Sequence, residues 1–328
     1  MYYALGTAIC LAVLFLVMAA AFTLCMAVPR LLRLMSNSTT PRTCANFLFG
    51  IRMMPLLLGL AATLGFALPA FLRFEPRSTG EPMALRLLAL ALLGGLALLA
   101  MAVRAVRIAR ATIIAQRQWR RNSRKISVPG VQLPVYCVQN SPSLLAVVGI
   151  FRARIFVARE IAEFLSAEEL SAALAHEMAH VSAFDNFKQF LLKITRPPRW
   201  FAALHTADIA WTNASEIAAD ETALAEGASV LDLSAALVKV GRLGPHTAMN
   251  EAIAASHLLP LTAGSCMEVR VAHLQEVLEG KIQSGEGPSH RRKTSLTIIP
   301  FLLVISAYVV CINGILPWTH ELLELLVR

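Results

Sequence analysis

Four predominantly apolar stretches of this chain carry no charged side chain: Met1 to Pro29, Met53 to Leu72, Leu87 to Val103 and Thr294 to Thr319. A helix needs about 20 apolar residues to cross the hydrocarbon core of a bilayer. Each run therefore predicts a membrane-spanning helix, the third borrowing length from its flanks. The first run has no positively charged leader and is too long for a cleavable signal peptide, so a retained anchor is expected.

Between the third and fourth runs the pattern changes. Arg104 to Gln118 continues the third run as a helical extension. "ISVPGVQLPVYCVQN" (Ile126 to Asn140) and "LLAVVGIFRARIFVARE" (Leu144 to Glu160) are rich in Val, Ile and Phe, with Pro and Gly as breakers, and predict short strands joined by turns. Arg152 and Arg154 alternate with Phe151, Ile155 and Val157, which predicts an antiparallel sheet with one wet face. From Ser166 the period becomes helical. Ser166 and Glu169 form a capping-box pair, and Leu170, Leu174 and Met178 recur on one stripe. "TRPPRW" (Thr195 to Trp200) breaks the chain, and Asn213 to Gly227 predicts a further helix ending at the glycine. "SGEGPSHRRK" (Ser284 to Lys293) reads as a linker into the last run.

Composition agrees with a membrane protein. The chain has 328 residues, 56% hydrophobic and only 16% charged, with a mean hydropathy of +0.60. A soluble domain carries about a quarter charged residues. The net charge of +9 does not point to nucleic acid, because the basic residues cluster beside apolar runs, where topology and anionic headgroups explain them. The first loop holds Arg30, Arg33, Arg42 and Arg52. Arg104, Arg107, Arg110, Arg117, Arg120, Arg121, Arg124 and Lys125 follow the third run, and Arg291, Arg292 and Lys293 precede the fourth. The positive-inside bias then puts the N-terminus outside, residues 105–293 inside and the tail after Trp318 outside. The cysteines at 10, 25, 44, 137, 266 and 311 include no CxxC pair, so neither a disulfide framework nor a thiolate metal cage is expected.

"LAHEMAHVSAFD" (Leu174 to Asp185) holds the candidate chemistry. His176 and His180 are four apart on a predicted helix, so two imidazoles can face one metal. Glu177 sits beside the first of them, placed to accept a proton from water that a metal acidifies and to return it to a departing amine. A catalytic zinc site needs a third protein ligand and an open position. Glu216 in "SEIAADE" is a candidate, with Asp220 one turn on as a carboxylate able to orient a ligand imidazole; Glu221 competes, but points about 100° away from Asp220. His205, His246, His257 and His273 have no partner spacing, though one of them could stabilise an oxyanion. "RWFAALHTADIAW" reads as membrane-adjacent packing, with Trp200 and Trp211 near headgroups.

With these residues in hand, the chain resembles the BlaR/MecR-type membrane zinc metallopeptidases, the antibiotic sensor-transducers. "GIFRARIFVA" (Gly149 to Ala158) is similar to the family's Phe-Arg-Pro-Arg-Ile segment, with Ala153 where proline is common. "LAHEMAHVSAFDNFKQFL" (Leu174 to Leu191) resembles its HExxH helix and following Asp-Asn pair. "EIAADETAL" (Glu216 to Leu224) resembles its Glu-x-x-x-Asp-Glu helix. The resemblance implies an α+β, mainly α fold: four transmembrane helices with a cytoplasmic gluzincin-like metallopeptidase domain between the third and fourth. Residues 1–104 would be a three-helix membrane region, 105–293 the peptidase domain, and 294–328 the last span with a short external tail. His176, His180 and Glu216 would bind one Zn2+ per chain, Glu177 would be the catalytic base and Asp220 a supporting catalytic residue. Arg152 to Val157 would be an edge strand along which substrate could lie extended. The Trp-Phe-x-Pro element stands here as "WFAAL", without its proline. The family's large extracellular sensor is expected to be lacking, so no beta-lactam sensing carries over.

These readings converge on a regulated endopeptidase of a bacterial-type cytoplasmic (inner) membrane. Its expected partners are the lipid bilayer, a protein substrate such as a transcriptional repressor, and a separate sensor protein, with no direct contact to nucleic acid. An HtpX-like quality-control protease for membrane proteins is the nearest alternative. A non-catalytic receptor or scaffold is the alternative of another class, and a transporter is disfavoured because the apolar runs hold no ionisable residues.

Overall fold

The computed structural model describes residues 2–25, 40–76, 84–128, 131, 133–139, 145–197, 202–242, 263–280, 314–325 and 327. Contacts divide the chain into two units. One comprises Met1–Ala27, Ile51–Ala102 and Ser289–Arg328; the other comprises Val28–Gly50 and Val103–Pro288.

The apolar runs form helices. They are α1 (Tyr2–Leu24), α2 (Pro41–Ala62), a π-helical turn (Thr63–Ala67), α3 (Leu68–Phe74) and α4 (Leu85–Arg121). The wide turn falls one turn before Pro69, which has no N–H to donate and whose ring crowds the preceding turn. Among the described residues, three stretches are long and apolar enough to cross a membrane: Tyr2–Leu24, Pro41–Phe74 and Leu85–Arg121. In the first unit Ile9, Ala12, Ala70, Phe71 and Leu87 pack into one cluster with Leu316 and Leu323. Leu88, Leu92, Leu96 and Leu99 point outward on α4, a pattern that lipid solvates and water does not. The fourth apolar run lies outside the described residues except for 314–319, the start of a helix over 314–325. The linker Ser284 to Lys293 also lies outside them.

The second unit is mainly helical around one small sheet. Its strands are β1 (Ser123–Ile126), β2 (Val135–Val138), β3 (Leu145–Val148) and β4 (Arg154–Ala158), in the order β1-β2-β4-β3. Two sequence expectations are corrected here. The sheet is mixed, because β2 and β4 run parallel while the other pairs are antiparallel. The edge strands are β1 and β3, not the Arg152 to Val157 segment. Arg152 belongs to the hairpin, and Ile155 to Ala158 are fully buried on a strand paired along both sides. Gly149 opens that hairpin at φ 135°, where a Cβ would strike the Arg152 carbonyl. Gln116 of α4 donates to the Val148 and Arg152 carbonyls and pins the hairpin's neck.

Helices α5 (Arg159–Phe164), α6 (Ala167–Ser182), α7 (Asp185–Ile194), α8 (Ala202–Ala225), α9 (Val230–Arg242) and α10 (Ala263–Leu278) follow. The expected capping box opens α6: Ser166 Oγ accepts from Glu169 N at 3.2 Å and Glu169 Oε2 from Ser166 N at 2.9 Å. Leu174 of α6 is buried in the core with Val135, Phe156 and Ile161, against Ala115 and Trp119 of α4. Helix α8 starts earlier than Asn213, and ends where Gly227 adopts φ 102°. Ala172 of α6, Ala223 of α8, Leu233 of α9 and Leu274 of α10 form a second cluster. Alanines at the α6 and α8 contact let the backbones approach closely, which brings long polar side chains from both helices to a common point. Arg104 donates to the carbonyls of Ile194 and Arg196, capping the C-terminal end of α7.

Candidate metal centre

His176 and His180 project from one side of α6, one turn apart, with their Nε2 atoms 3.2 Å apart. Glu216 of α8 meets both: its Oε2 is 3.4 Å from His176 Nε2 and its Oε1 3.5 Å from His180 Nε2. One ligand atom from each of the three lies within 4.8 Å of the others.

The outward ring nitrogens are held by two further carboxylates. His176 Nδ1 lies 2.8 Å from Asp220 Oδ1, and His180 Nδ1 lies 2.9 Å from Asp185 Oδ2. Tying each Nδ1 leaves each Nε2 lone pair directed at the shared centre. Each carboxylate is gripped in turn by an arginine. Arg270 of α10 makes a two-pronged contact with Asp220, Nε to Oδ2 at 2.8 Å and Nη2 to Oδ1 at 2.7 Å. Its Nη1 also donates to Glu216 Oε2 at 3.2 Å. Arg42 of α2 holds Asp185 through Nη1, 3.1 Å from Oδ2 and 3.3 Å from Oδ1.

The electrostatics fit a bound cation. Burial pulls the His180 pKa down, but the Glu216 and Asp185 carboxylates outweigh it and push it up to about 10. Burial would raise the Glu216 carboxyl, yet the two imidazoles and Arg270 hold it well below the usual carboxylate range. Asp220 and Asp185 are likewise held low against burial, the first mainly by Arg270 and His176, the second by His180, Arg42 and Lys188. Two imidazoles and a carboxylate converging in an anion-rich pocket form a suitable N,N,O donor set for a divalent metal.

Glu177 stands apart from that set. Its Oε2 accepts a hydrogen bond from Val147 N of β3 at 3.1 Å. Burial raises its pKa, partly opposed by the two imidazoles. A cavity of about 230 Å³ opens beside it, lined by Leu145 to Val147 and by Asn186, Trp211, Glu216 and Arg270 among others. Asn186 Nδ2 donates to the carbonyls of Val147 and Gly149, fixing the strand edge over the site.

Helix packing thus brings His176, Glu177, His180, Glu216 and Asp220 together. Glu221 turns instead toward His273, 3.6 Å from its Nε2, and joins neither the ligand atoms nor the cavity wall. His246 and His257 lie outside the described residues, as does Trp200. Trp211 was expected near headgroups; it is buried and lines the cavity, because α8 extends through it and turns it inward beside Thr212 and Ser215. Sequence reading gives Asp185, Asn186, Arg42 and Arg270 no role at the site, although Asp185 and Asn186 belong to the resembling segment and Arg42 to the basic first loop. Asp185 and Asn186 carry a local signal, since they open the helix directly after HExxH. The arginines do not, standing 143 residues from Asp185 and 94 from His176 along the chain.

The family model described as BlaR1 peptidase M56 matches residues 75–248, just over half of the chain. The chain belongs to that family. BlaR1 peptidase M56 membership implies metallopeptidase activity, and three apolar helices fit a membrane protein. The match spans His176, Glu177, His180, Glu216 and Asp220, whereas Arg42 and Arg270 fall outside it. No curated protein and no solved structure gives a significant match to the chain.

Proposed function

We propose that the chain is an integral-membrane zinc endopeptidase that cleaves a cytoplasmic protein in a regulated way. The observation that carries the reading is the meeting of His176 Nε2, His180 Nε2 and Glu216 with Glu177 alongside, at the wall of a cavity. His176, His180 and Glu216 would hold the zinc, which when bound would serve as a Lewis acid toward the scissile carbonyl and acidify water. Glu177 accepts the proton of the attacking water as the new C–O bond forms. It returns that proton to the amine nitrogen as the C–N bond breaks. Burial strengthens Glu177 as a base, and Val147 N–H holds its carboxylate toward the cavity. Asp220 orients His176 from behind. An extended substrate fits along β3, which pairs only with β4 among the described strands.

In this reading residues 1–104 and 294–328 are membrane regions with four spans in total, and 105–293 form the peptidase domain on the cytoplasmic side of an inner membrane. A repressor or signalling protein is the substrate, and a separate sensor protein supplies the trigger. Glu177→Gln tests the chemistry. The variant keeps its metal and loses at least about a hundredfold in turnover; undiminished cleavage with metal retained would refute the assignment. The same variant holds its substrate in native membranes. A single DNA-binding protein among the captured species supports signalling, and a broad set of damaged membrane proteins supports quality control instead.

A further inference from the structure

Asp185, the first residue of α7, is buried and presents Oδ2 to His180 Nδ1 at 2.9 Å. What fixes this carboxylate comes from far away in sequence. Arg42 Nη1 sits between its two oxygens, at 3.1 and 3.3 Å. One turn further along both helices, Lys188 Nζ donates to Asn46 Oδ1 at 2.8 Å and lies 3.5 Å from Asp185 Oδ1. Arg42 and Asn46 are four apart on α2, and Asp185 and Lys188 three apart on α7, so each pair shares one helix face. The result is a two-rung polar ladder between the first turns of the two helices. Helix α2 runs without a break from Pro41 to Ala62, within the candidate membrane span Pro41–Phe74.

We propose that Arg42 is a positioning residue for His180: it fixes the plane of Asp185, which fixes the imidazole, so the first turn of a span-bearing helix sets the geometry of a metal ligand. The inference rests on the reading of His176, His180 and Glu216 as metal ligands. Lost from Arg42, the Asp185 carboxylate is free to turn toward Lys188 and release its hold on Nδ1. Lysine at 42 would keep the charge but not the rigid guanidinium that carries Nη1 to a point between the two oxygens.

The test uses the full-length chain in detergent micelles with Co2+ as the probe, read by its visible absorption and by chelator competition, with melting of the metal-free protein as the check on folding. Arg42→Ala weakens Co2+ binding about tenfold and shifts the absorption bands, and Arg42→Lys falls between it and wild type. Asp185→Asn has the effect of Arg42→Ala or more, and the double variant is no worse than Asp185→Asn alone. A folded Arg42→Ala protein with wild-type affinity and spectrum overturns the proposal, as does additivity in the double variant. Should Arg42→Ala fail to fold, Arg42→Lys decides by the same two readouts. His180→Ala separates the two readings. If it abolishes Co2+ binding while Arg42→Ala leaves it intact, the clamp alone is wrong. If His180→Ala binds Co2+ as wild type does, the metal centre itself is wrong and the clamp falls with it.

Discussion

Asp220 is fully buried, yet it is held as an anion by the Arg270 fork and by His176 Nδ1. Such a pair adds little net stability when intact, because desolvation offsets most of the attraction, but removing one partner strands a buried charge. Arg270→Ala is therefore expected to cost about 3–5 kcal/mol, seen as a lower melting temperature in detergent. Adding Asp220→Asn to that variant recovers part of the loss, since the stranded charge is gone. Glu177 makes a different prediction. As the proposed base it must be ionised, and burial raises its pKa, so kcat/KM is expected to fall as pH drops through a value higher than that of an exposed glutamate. Loss of that acid limb only at the pH of an ordinary exposed glutamate would contradict the raised pKa.

At the scale of elements, α7 joins the site to a second ionisable feature. Its Asp185 begins the helix at the metal centre, while Lys193 in its last turn is buried. Burial, with the Arg196 charge adding to it, lowers the Lys193 pKa from 10.5 to about 7. Between those values the unfolded chain binds a proton that the folded chain does not, so stability rises with pH across that window. Below about 7 both forms are protonated and the cost of burying the charge is fully present. Melting at pH 6.5 and pH 9 should show the rise, and Lys193→Met should flatten it. The sheet makes the companion point. Its edge at β3 is decided by the hairpin at Gly149, which returns the chain so that β4 slides between β2 and β3. The apolar run of β4 was readable as a strand, but strand order depends on pairings between segments that no local pattern records.

For the whole molecule, the distribution of arginine makes the strongest claim. Arg117 is exposed on the last part of α4, within the dense basic stretch that follows the third apolar run. In the proposed topology, which follows the positive-inside bias, it faces the cytoplasm. Arg117→Cys should react with a membrane-impermeant maleimide in inverted vesicles and not in intact cells. Labelling in intact cells would reverse the topology and move the proposed substrate to the other side of the membrane.

The sequence by itself determined the apolar runs, the capping box at Ser166, and the spacing that sets His176 and His180 on one helix face beside Glu177. All are local: hydrophobic length, side-chain capping and the 3.6-residue period act within a few turns. Glu216 and Asp220 were legible as a carboxylate pair one turn apart, but their meeting with the histidines required α8 to lie against α6. Only tertiary structure decided which strands form the edges, that Trp211 lines the cavity, and that Arg42 and Arg270 hold the two carboxylates behind the imidazoles. Those choices come from packing between helices distant in sequence, where burial of one carboxylate demands a cation and the fold determines which arginine can reach it.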